Sequence, residues 1–208
     1  KLEKLSFAMV SDGVINLHNN KAKLNKTRLS VFGLIMSGSF DVDNIFSVPV
    51  IEGPLKVKKF SADKLAKQFK INVPAMVNEQ SLQNISLASS FKTDFNQIYL
   101  DDLVANVDQS RIQGFVHISG TDRPVVRYDL DVDKIALHDY QSKDESNSDE
   151  IMLPLDLIRS TDLEGSFDVG SIAADDVEIR DFHVDSNTTP SELFMDTISK
   201  LSFKDITN

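Results

Sequence analysis

Carboxylates are the side chains best placed to do chemistry, and one run of them alternates along the chain. Asp129, Asp131 and Asp133 have the spacing of the first ligands of a calcium-binding loop. Lys134 stands where that loop needs a sharply turning glycine, and no glutamate completes its twelve-residue spacing. We therefore interpret the run as a strand whose acids face water.

The sequence shows no other arrangement typical of a catalytic or metal site. Asp101-Asp102 and Asp175-Asp176 are adjacent pairs, whose members would point to opposite faces of a strand, so we expect them to begin or end turns. There is no cysteine, no nucleophile elbow and no phosphate-binding glycine loop. We predict a protein that is not an enzyme and holds no cofactor and no metal. The histidines, none of which has metal-ligand spacing, are His18, His117, His138 and His183.

The charge of the chain argues against a nucleic-acid partner. The formal net charge is −10, whereas binding to phosphate backbones needs clustered lysine and arginine. Residues 56–59 and 64–70 are the only basic clusters, and both are short enough to be a solvated strand edge and a helix face. No apolar run approaches the length of a membrane helix, and the first residues do not form a signal peptide. We expect the chain to be part of a longer protein whose targeting segment lies elsewhere.

The chain partly repeats itself. Residues 15–29 resemble residues 98–112 at an offset of 83, and residues 57–65 resemble residues 132–140 at an offset of 75. The difference between the two offsets indicates an eight-residue insertion in the first copy. Repeated units that cannot close a core alone stack edge to edge, and such an array offers a groove or a surface.

These alignments predict which residues are structurally equivalent. Leu17 and Leu100 should lie on equivalent strands, and Arg28 and Arg111 at equivalent turns. Each arginine is expected to close a turn or to bridge to an acid, although a guanidinium group also suits a phosphate headgroup. The predicted units cover residues 1–80, 81–141 and 151–208, and a flexible acidic loop at 142–150 separates the second from the third.

Hydrophobic periodicity predicts mainly strands. Val126, Tyr128, Leu130 and Val132 alternate with charged residues, as in a strand that has one apolar and one wet face. Residues 29–36 have apolar side chains at both odd- and even-numbered positions, which predicts a single strand covered on both faces. The expected fold is mainly β with a few short helices (α+β), built as an elongated, curved antiparallel sheet of repeated units that form a groove.

Three short helices are expected beside this sheet. Ser61 is a suitable N-cap for a helix over residues 62–69. Pro154 and Pro190 stand where the first turns of helices over residues 155–159 and 191–201 would begin.

The order of several phrases resembles the repeat of the AsmA family. The similar region covers about residues 82 to 186, with a looser copy at 5 to 70. Its second half contains the pattern D-x-D-x-[ILV]-x-L-x-x-Y followed by an acidic insert. The phrases, in chain order, are Leu100-Asp101-Asp102-Leu103, Ser110-Arg111-Ile112-Gln113-Gly114, the run from Arg123 to Tyr140, and the run from Leu153 to Gly170.

This resemblance implies a role in the envelope of a Gram-negative bacterium. It implies a single periplasmic fragment over residues 1–208, anchored to the inner membrane by a segment outside this sequence. The expected function is to shield phospholipid in transport between the inner and outer membranes, which contributes to outer-membrane biogenesis. The alternative is a scaffold that assembles outer-membrane proteins through protein contacts.

The candidate lining of the lipid groove follows from the alternation and the resemblance together. A structural role in an ordinary packed core remains open for every one of these residues. They are Ile112, Val116, Ile118, Val126, Tyr128, Leu130 and Val132.

Overall fold

The computed structural model describes residues 7–68, 76–120, 124–141, 162–174 and 177–188, and these build one ten-stranded sheet whose strand order follows the chain. The mainly β fold with few helices is therefore confirmed. The strands are β1 Phe7–Asn16, β2 Lys21–Val31, β3 Leu34–Asp43, β4 Val50–Phe60, β5 Ile85–Thr93, β6 Gln97–Val107, β7 Ser110–Ser119, β8 Val125–Ala136, β9 Asp162–Ala174 and β10 Val177–Thr188.

Neighbouring strands are antiparallel with one exception. β8 and β9 are parallel, with Val132 opposite Val169. The expected antiparallel sheet therefore contains one parallel pair. A parallel neighbour needs a crossover of a dozen or more residues, and the chain between Ala136 and Asp162 is long enough to return to the start of β8. Within the described ranges β1 and β10 are the two edge strands, so the described sheet is open.

Two short helices follow β4 and β8. Helix α1, Ala62–Gln68, begins after Ser61, whose Oγ accepts a hydrogen bond from the Lys64 N–H at 3.2 Å. This confirms the predicted N-cap. A 3₁₀ helix, Leu137–Tyr140, occupies the corresponding place after β8. The expected helices at 155–159 and 191–201 and the acidic loop at 142–150 lie outside the described residues.

The prediction of one strand over residues 29–36 is wrong, because these residues form a hairpin. Phe32 and Gly33 make the turn with positive φ angles of 52° and 78°, as both central residues of a type I′ turn do. Val31 pairs with Leu34 across that turn. The chain reverses direction at this turn, and the apolar positions change there from odd-numbered to even-numbered residues. The change therefore marks a turn and not a strand buried on both faces.

The alignment at an offset of 83 is also wrong. Leu17 lies in the turn after β1, whereas Leu100 lies within β6. Arg28 is inside β2 and Arg111 is near the start of β7, so neither arginine occupies a turn. A pattern of period two matches itself at many offsets, and side-chain alternation alone therefore does not fix the register.

The alignment at an offset of 75 describes equivalent positions. Val57 and Val132 are both buried and lie near the ends of β4 and β8. Each of these strands leads into a short helix, α1 or the 3₁₀ helix. The sheet thus contains two successive units of four strands and a helix, followed by the β9–β10 hairpin.

A bulge interrupts β6 at Asp101-Asp102, where a turn was expected. The register of β6 with β7 shifts between Leu100 and Leu103, and Asp102 adopts a φ of 49°. The extra residue lets both carboxylates remain exposed while the apolar residues on either side stay on one face. Asp175-Asp176 lies outside the described residues.

Buried apolar side chains cluster near β8, β9 and β10. Val132, Val169 and Ile172 form the buried group, and Val169 is only 1% exposed. The side chains that pack around them are Ile112, Ile135, Leu137, Phe167, Ile179 and Phe182. This is a small core for a sheet of ten strands.

Candidate functional site

One face of the sheet carries apolar side chains in rows that run across the strands. Directly paired residues share a face, so the strand register identifies each row. The first row is apolar on all ten strands. Its members are Met9, Leu29, Met36, Val57, Leu87, Ala105, Ile112, Val132, Val169 and Phe182.

Three further rows lie beside the first on the same face, and we call the four rows together the apolar face. The second holds Thr27, Gly38, Leu55 and Ser89, then Leu103, Gly114, Leu130, Phe167 and Val184. The third holds Leu24, Phe40, Gly53, Phe91, Leu100, Val116, Tyr128, Gly165 and Ser186. The fourth holds Ile15, Ala22, Val42, Ile51, Thr93, Ile98, Ile118, Val126 and Leu163.

The apolar face is large enough to hold a long hydrocarbon chain. Strands lie about 4.8 Å apart, so ten strands give each row a length of roughly 43 Å. Rows are two residues apart, so four rows span roughly 20 Å along the strands. Most side chains in the rows are half-buried, which is typical of a sheet whose members shield one another sideways but not from above.

The described helices are too short to cover this face. The seven residues of α1 extend about 10 Å, a quarter of the length of a row. The 3₁₀ helix places Leu137 against Val132 and Val169, at one end of the first row. Both helices follow strands that run toward the first row, so they lie at that end of the strands.

Glycines on the apolar face make room for larger neighbours. A Cβ on Gly38 would lie 2.5 Å from the Phe40 ring, and that ring packs edge-on against Phe91 with centroids 6.2 Å apart. A Cβ on Gly114 or Gly165 would lie 1.8 Å from a carbonyl oxygen of the next strand. The surface of the apolar face is therefore uneven, because it is lower at the glycines and higher at the aromatic rings.

The opposite face of the sheet, the polar face, carries cross-strand ion pairs. The bridges join exposed side chains on adjacent strands, so each contributes little to stability. They make this face hydrophilic, in contrast to the apolar face. The pairs are Lys21–Asp43 at 2.7 Å, Lys23–Asp41 at 3.5 Å, Lys92–Glu52 at 3.1 Å and Arg127–Glu164 at 2.7 Å.

Two histidines also lie on the polar face beside carboxylates. His117 Nε2 is 2.7 Å from Asp101, and His183 Nδ1 is 2.6 Å from Asp168. Hydrogen bonds to Asp168 and to Asp185 raise the pKa of His183 above its usual value. Among the described residues, no three His, Asp or Glu side chains are grouped so that they could hold a metal ion.

All seven residues predicted to line a groove lie on the apolar face, distributed over all four rows. Ile112 and Val132 belong to the first row, Leu130 to the second, and Val116 and Tyr128 to the third. Ile118 and Val126 pair directly in the fourth row. Within this set Val132 is buried and the others are half-buried.

The predicted lining lies on β7 and β8 alone and misses the parts of the apolar face built by the other eight strands of the described sheet. The same period of two in β4, where Ile51, Leu55 and Val57 alternate with Glu52 and Lys56, would have revealed one of them. The sequence leaves two roles open for Arg28 and Arg111, a structural one at a turn or beside a strand acid, and binding of a phosphate headgroup. Both arginines lie outside the four apolar rows, and the Arg111 N–H donates to Asp133 Oδ1 at 2.8 Å.

Comparison of the chain with models of known protein families, with curated proteins and with solved structures finds no match. None of the helices within the described ranges combines the length and the apolar character needed to cross a membrane.

Proposed function

We propose that the apolar face binds the acyl chains of phospholipid and shields them from water, without catalysis. The observation that carries this proposal is the continuity of the first row, which is apolar on ten successive strands. Acyl chains would lie along the rows, across the strands, because the first row continues unbroken in that direction over all ten strands. An exposed apolar strip of this size otherwise favours association.

Magnitudes favour a lipid with two long chains. Burial of a methylene group contributes about 0.8 kcal/mol, so twelve of them contribute roughly 10 kcal/mol. Binding costs about 4–15 kcal/mol in lost freedom, which makes a single short chain a marginal ligand. A diacyl lipid doubles the apolar contact for one loss of translational freedom. The roughly 20 Å width of the face accommodates two chains side by side.

The biological setting proposed for this activity is the bacterial envelope. The phrase order of residues 82 to 186 resembles the AsmA family, and we propose that the chain is a periplasmic part of such a protein. In that setting the apolar face would carry phospholipid between the inner and outer membranes, and the full-length protein would be anchored to the inner membrane. Fractionation of cells that express the full-length protein tests this location.

A second candidate function is a scaffold that binds a protein partner through β1, an edge strand of the described sheet. This strand exposes large apolar side chains on both faces, among them Met9, Val10 and Val14. β10, at the other edge, carries Glu178, Arg180 and His183, and charges on an edge strand discourage pairing. A scaffold of this kind would bind its partner equally well after changes to the centre of the apolar face.

Three substitutions test the lipid proposal. Leu130→Asp places a carboxylate on a half-buried site of the apolar face, where desolvation by an acyl chain is costly. We expect bound lipid to fall sharply while the protein stays folded. Val132→Asp, in the buried cluster, should instead lower the free energy of unfolding by several kcal/mol and so unfold the protein. Asn106→Asp adds the same charge to the polar face opposite Arg111 and should change neither property.

Thermal unfolding and lipid content measured on the same samples separate the outcomes. A folded Leu130→Asp protein with unchanged lipid would exclude this strand from the binding face. If Leu130→Asp unfolds as Val132→Asp does, Leu130 belongs to a closed core and the proposal fails there.

A further inference from the structure

Large apolar side chains are exposed at the tips of hairpins along one end of the sheet. The turns β1–β2, β3–β4 and β5–β6 lie at the same end because successive strands are antiparallel. We call their exposed residues the apolar rim. They are Leu17, 66% exposed, Phe46, 69%, Val48, 62%, and Phe95, 66%.

The turns hold these side chains out in water by hydrogen bonds. Asn20 joins the first two tips, because its Oδ1 accepts from the Phe46 N–H at 3.0 Å and its carbonyl from the Ile45 N–H at 3.3 Å. The Phe95 N–H donates to Thr93 Oγ1 at 3.0 Å. Phe95 also has a φ of 69°, a left-handed conformation that is costly for a bulky residue.

The opposite end of the strands is built differently. The β6–β7 turn carries Asp108, whose carboxylate accepts hydrogen bonds from the N–H groups of Leu82 and Asn84 at 2.6 and 3.2 Å. Phe32, in the β2–β3 turn, is half-buried. Two large apolar side chains are also exposed at this end, Phe7 at the start of β1 and Val177 at the start of β10, each on an edge strand of the described sheet. The apolar side chains exposed on successive hairpin turns lie at the rim end.

We propose that the apolar rim docks on the surface of a zwitterionic phospholipid bilayer, with each tip inserted among the lipids. The three tips are two strands apart, or roughly 10 Å, so each turn presents its own apolar group. A bilayer accepts separate apolar wedges of this kind, whereas a protein partner would need a matching pocket for each one.

The charges near the rim favour an uncharged surface. Asn44, Ser47 and Asn96 surround the tips, and Asp43 is paired with Lys21 at 2.7 Å. Asp94 adds a negative charge and the chain as a whole carries −10, so an anionic membrane would repel it at low salt. Docking goes beyond the proposed lipid-binding function and depends on different residues. It would place Ile15 and Ile98 of the fourth row next to the bilayer.

The absence of tryptophan from the chain allows a direct test. Single tryptophans at Phe46→Trp and Phe95→Trp report insertion, and Val10→Trp is the control, because Val10 is 71% exposed on the polar face. With phosphatidylcholine vesicles we expect a blue shift and quenching by brominated lipid for the two rim variants alone. Emission that vesicles leave unchanged at both rim positions would overturn the proposal. A blue shift already present without vesicles, together with dimers in sedimentation, would assign the rim to a second copy.

Flotation with the same vesicles measures the contribution of each tip. Phe46→Ser and Phe95→Ser should each weaken binding about tenfold, and Val10→Ser should leave it unchanged. Vesicles that contain phosphatidylglycerol should bind less protein at low salt. Equal flotation of the double rim variant and the unchanged chain would refute docking through the rim. Lipid retained by the purified variants separates the two proposals, because rim variants should keep it while Leu130→Asp loses it and still docks.

Discussion

On β8, apolar and charged side chains divide sharply between the two faces of the sheet. Asp129, Asp131 and Asp133 are all exposed, as the sequence predicted for a strand whose acids face water. Between them Leu130 and Val132 point to the apolar face. The alternation of apolar and charged residues could be predicted from the sequence because it is a local property of one strand. The residue that lies opposite each side chain on the neighbouring strand could not be predicted, because it depends on the register between strands.

Tyr140 provides a pH-dependent contribution to stability. Its hydroxyl donates to Asp108 Oδ2 at 3.1 Å, and burial together with the charge of Asp108 raises the pKa of Tyr140 to about 12. The folded state therefore holds this proton more tightly than the unfolded chain, in which the pKa is about 10. The contribution is fully present below about pH 10 and is lost as the pH rises through about 12.

Tyr140→Phe should remove this dependence. We expect the free energy of unfolding of the unchanged protein to fall between about pH 10 and pH 12 more steeply than that of the variant. Denaturant unfolding at a series of pH values measures the difference. Tyr128→Phe is the control, because the Tyr128 hydroxyl hydrogen-bonds to Ser186 and not to a carboxylate. Parallel pH profiles for the unchanged protein and Tyr140→Phe would contradict the assignment.

At the scale of elements, strands and the capped helix α1 could be predicted, and turns and bulges could not. Ser61 before an apolar stripe is a local signal, and the helix forms where it predicts. The Phe32-Gly33 hairpin was missed because phenylalanine is an unusual first residue for a type I′ turn. The bulge at Asp101-Asp102 was missed because two acids in sequence suggest a turn.

Glycines set the spacing of neighbouring strands on the apolar face, and Gly165 makes the clearest case. Its φ is +155°, and an added Cβ would lie 1.8 Å from the Tyr128 carbonyl oxygen. Gly165→Ala should therefore lower the free energy of unfolding by about 2–4 kcal/mol. Gly13→Ala, at the β1 edge with its closest approach at 3.0 Å, should cost clearly less. Urea unfolding compares the two, and equal losses would argue against backbone crowding at Gly165.

At the scale of the whole molecule, the four rows explain why so regular a sheet has so small a core. Only Val132, Val169 and Ile172 form a buried cluster among the described residues. Most of the other apolar side chains are distributed over the apolar face and are half-buried. The repeat at an offset of 75 correctly relates the two four-strand units through Val57 and Val132. The match at 83 failed because the true rows relate Leu29 to Ala105, which is an offset of 76.

Native mass spectrometry of the protein purified without detergent tests lipid binding most directly. Our account predicts that part of the protein carries an added mass equal to one or more diacyl phospholipids, and that Leu130→Asp lacks this addition while Asn106→Asp keeps it. Protein that remains at the mass of the polypeptide alone, even after incubation with phosphatidylcholine vesicles, would contradict the proposal that the apolar face binds lipid.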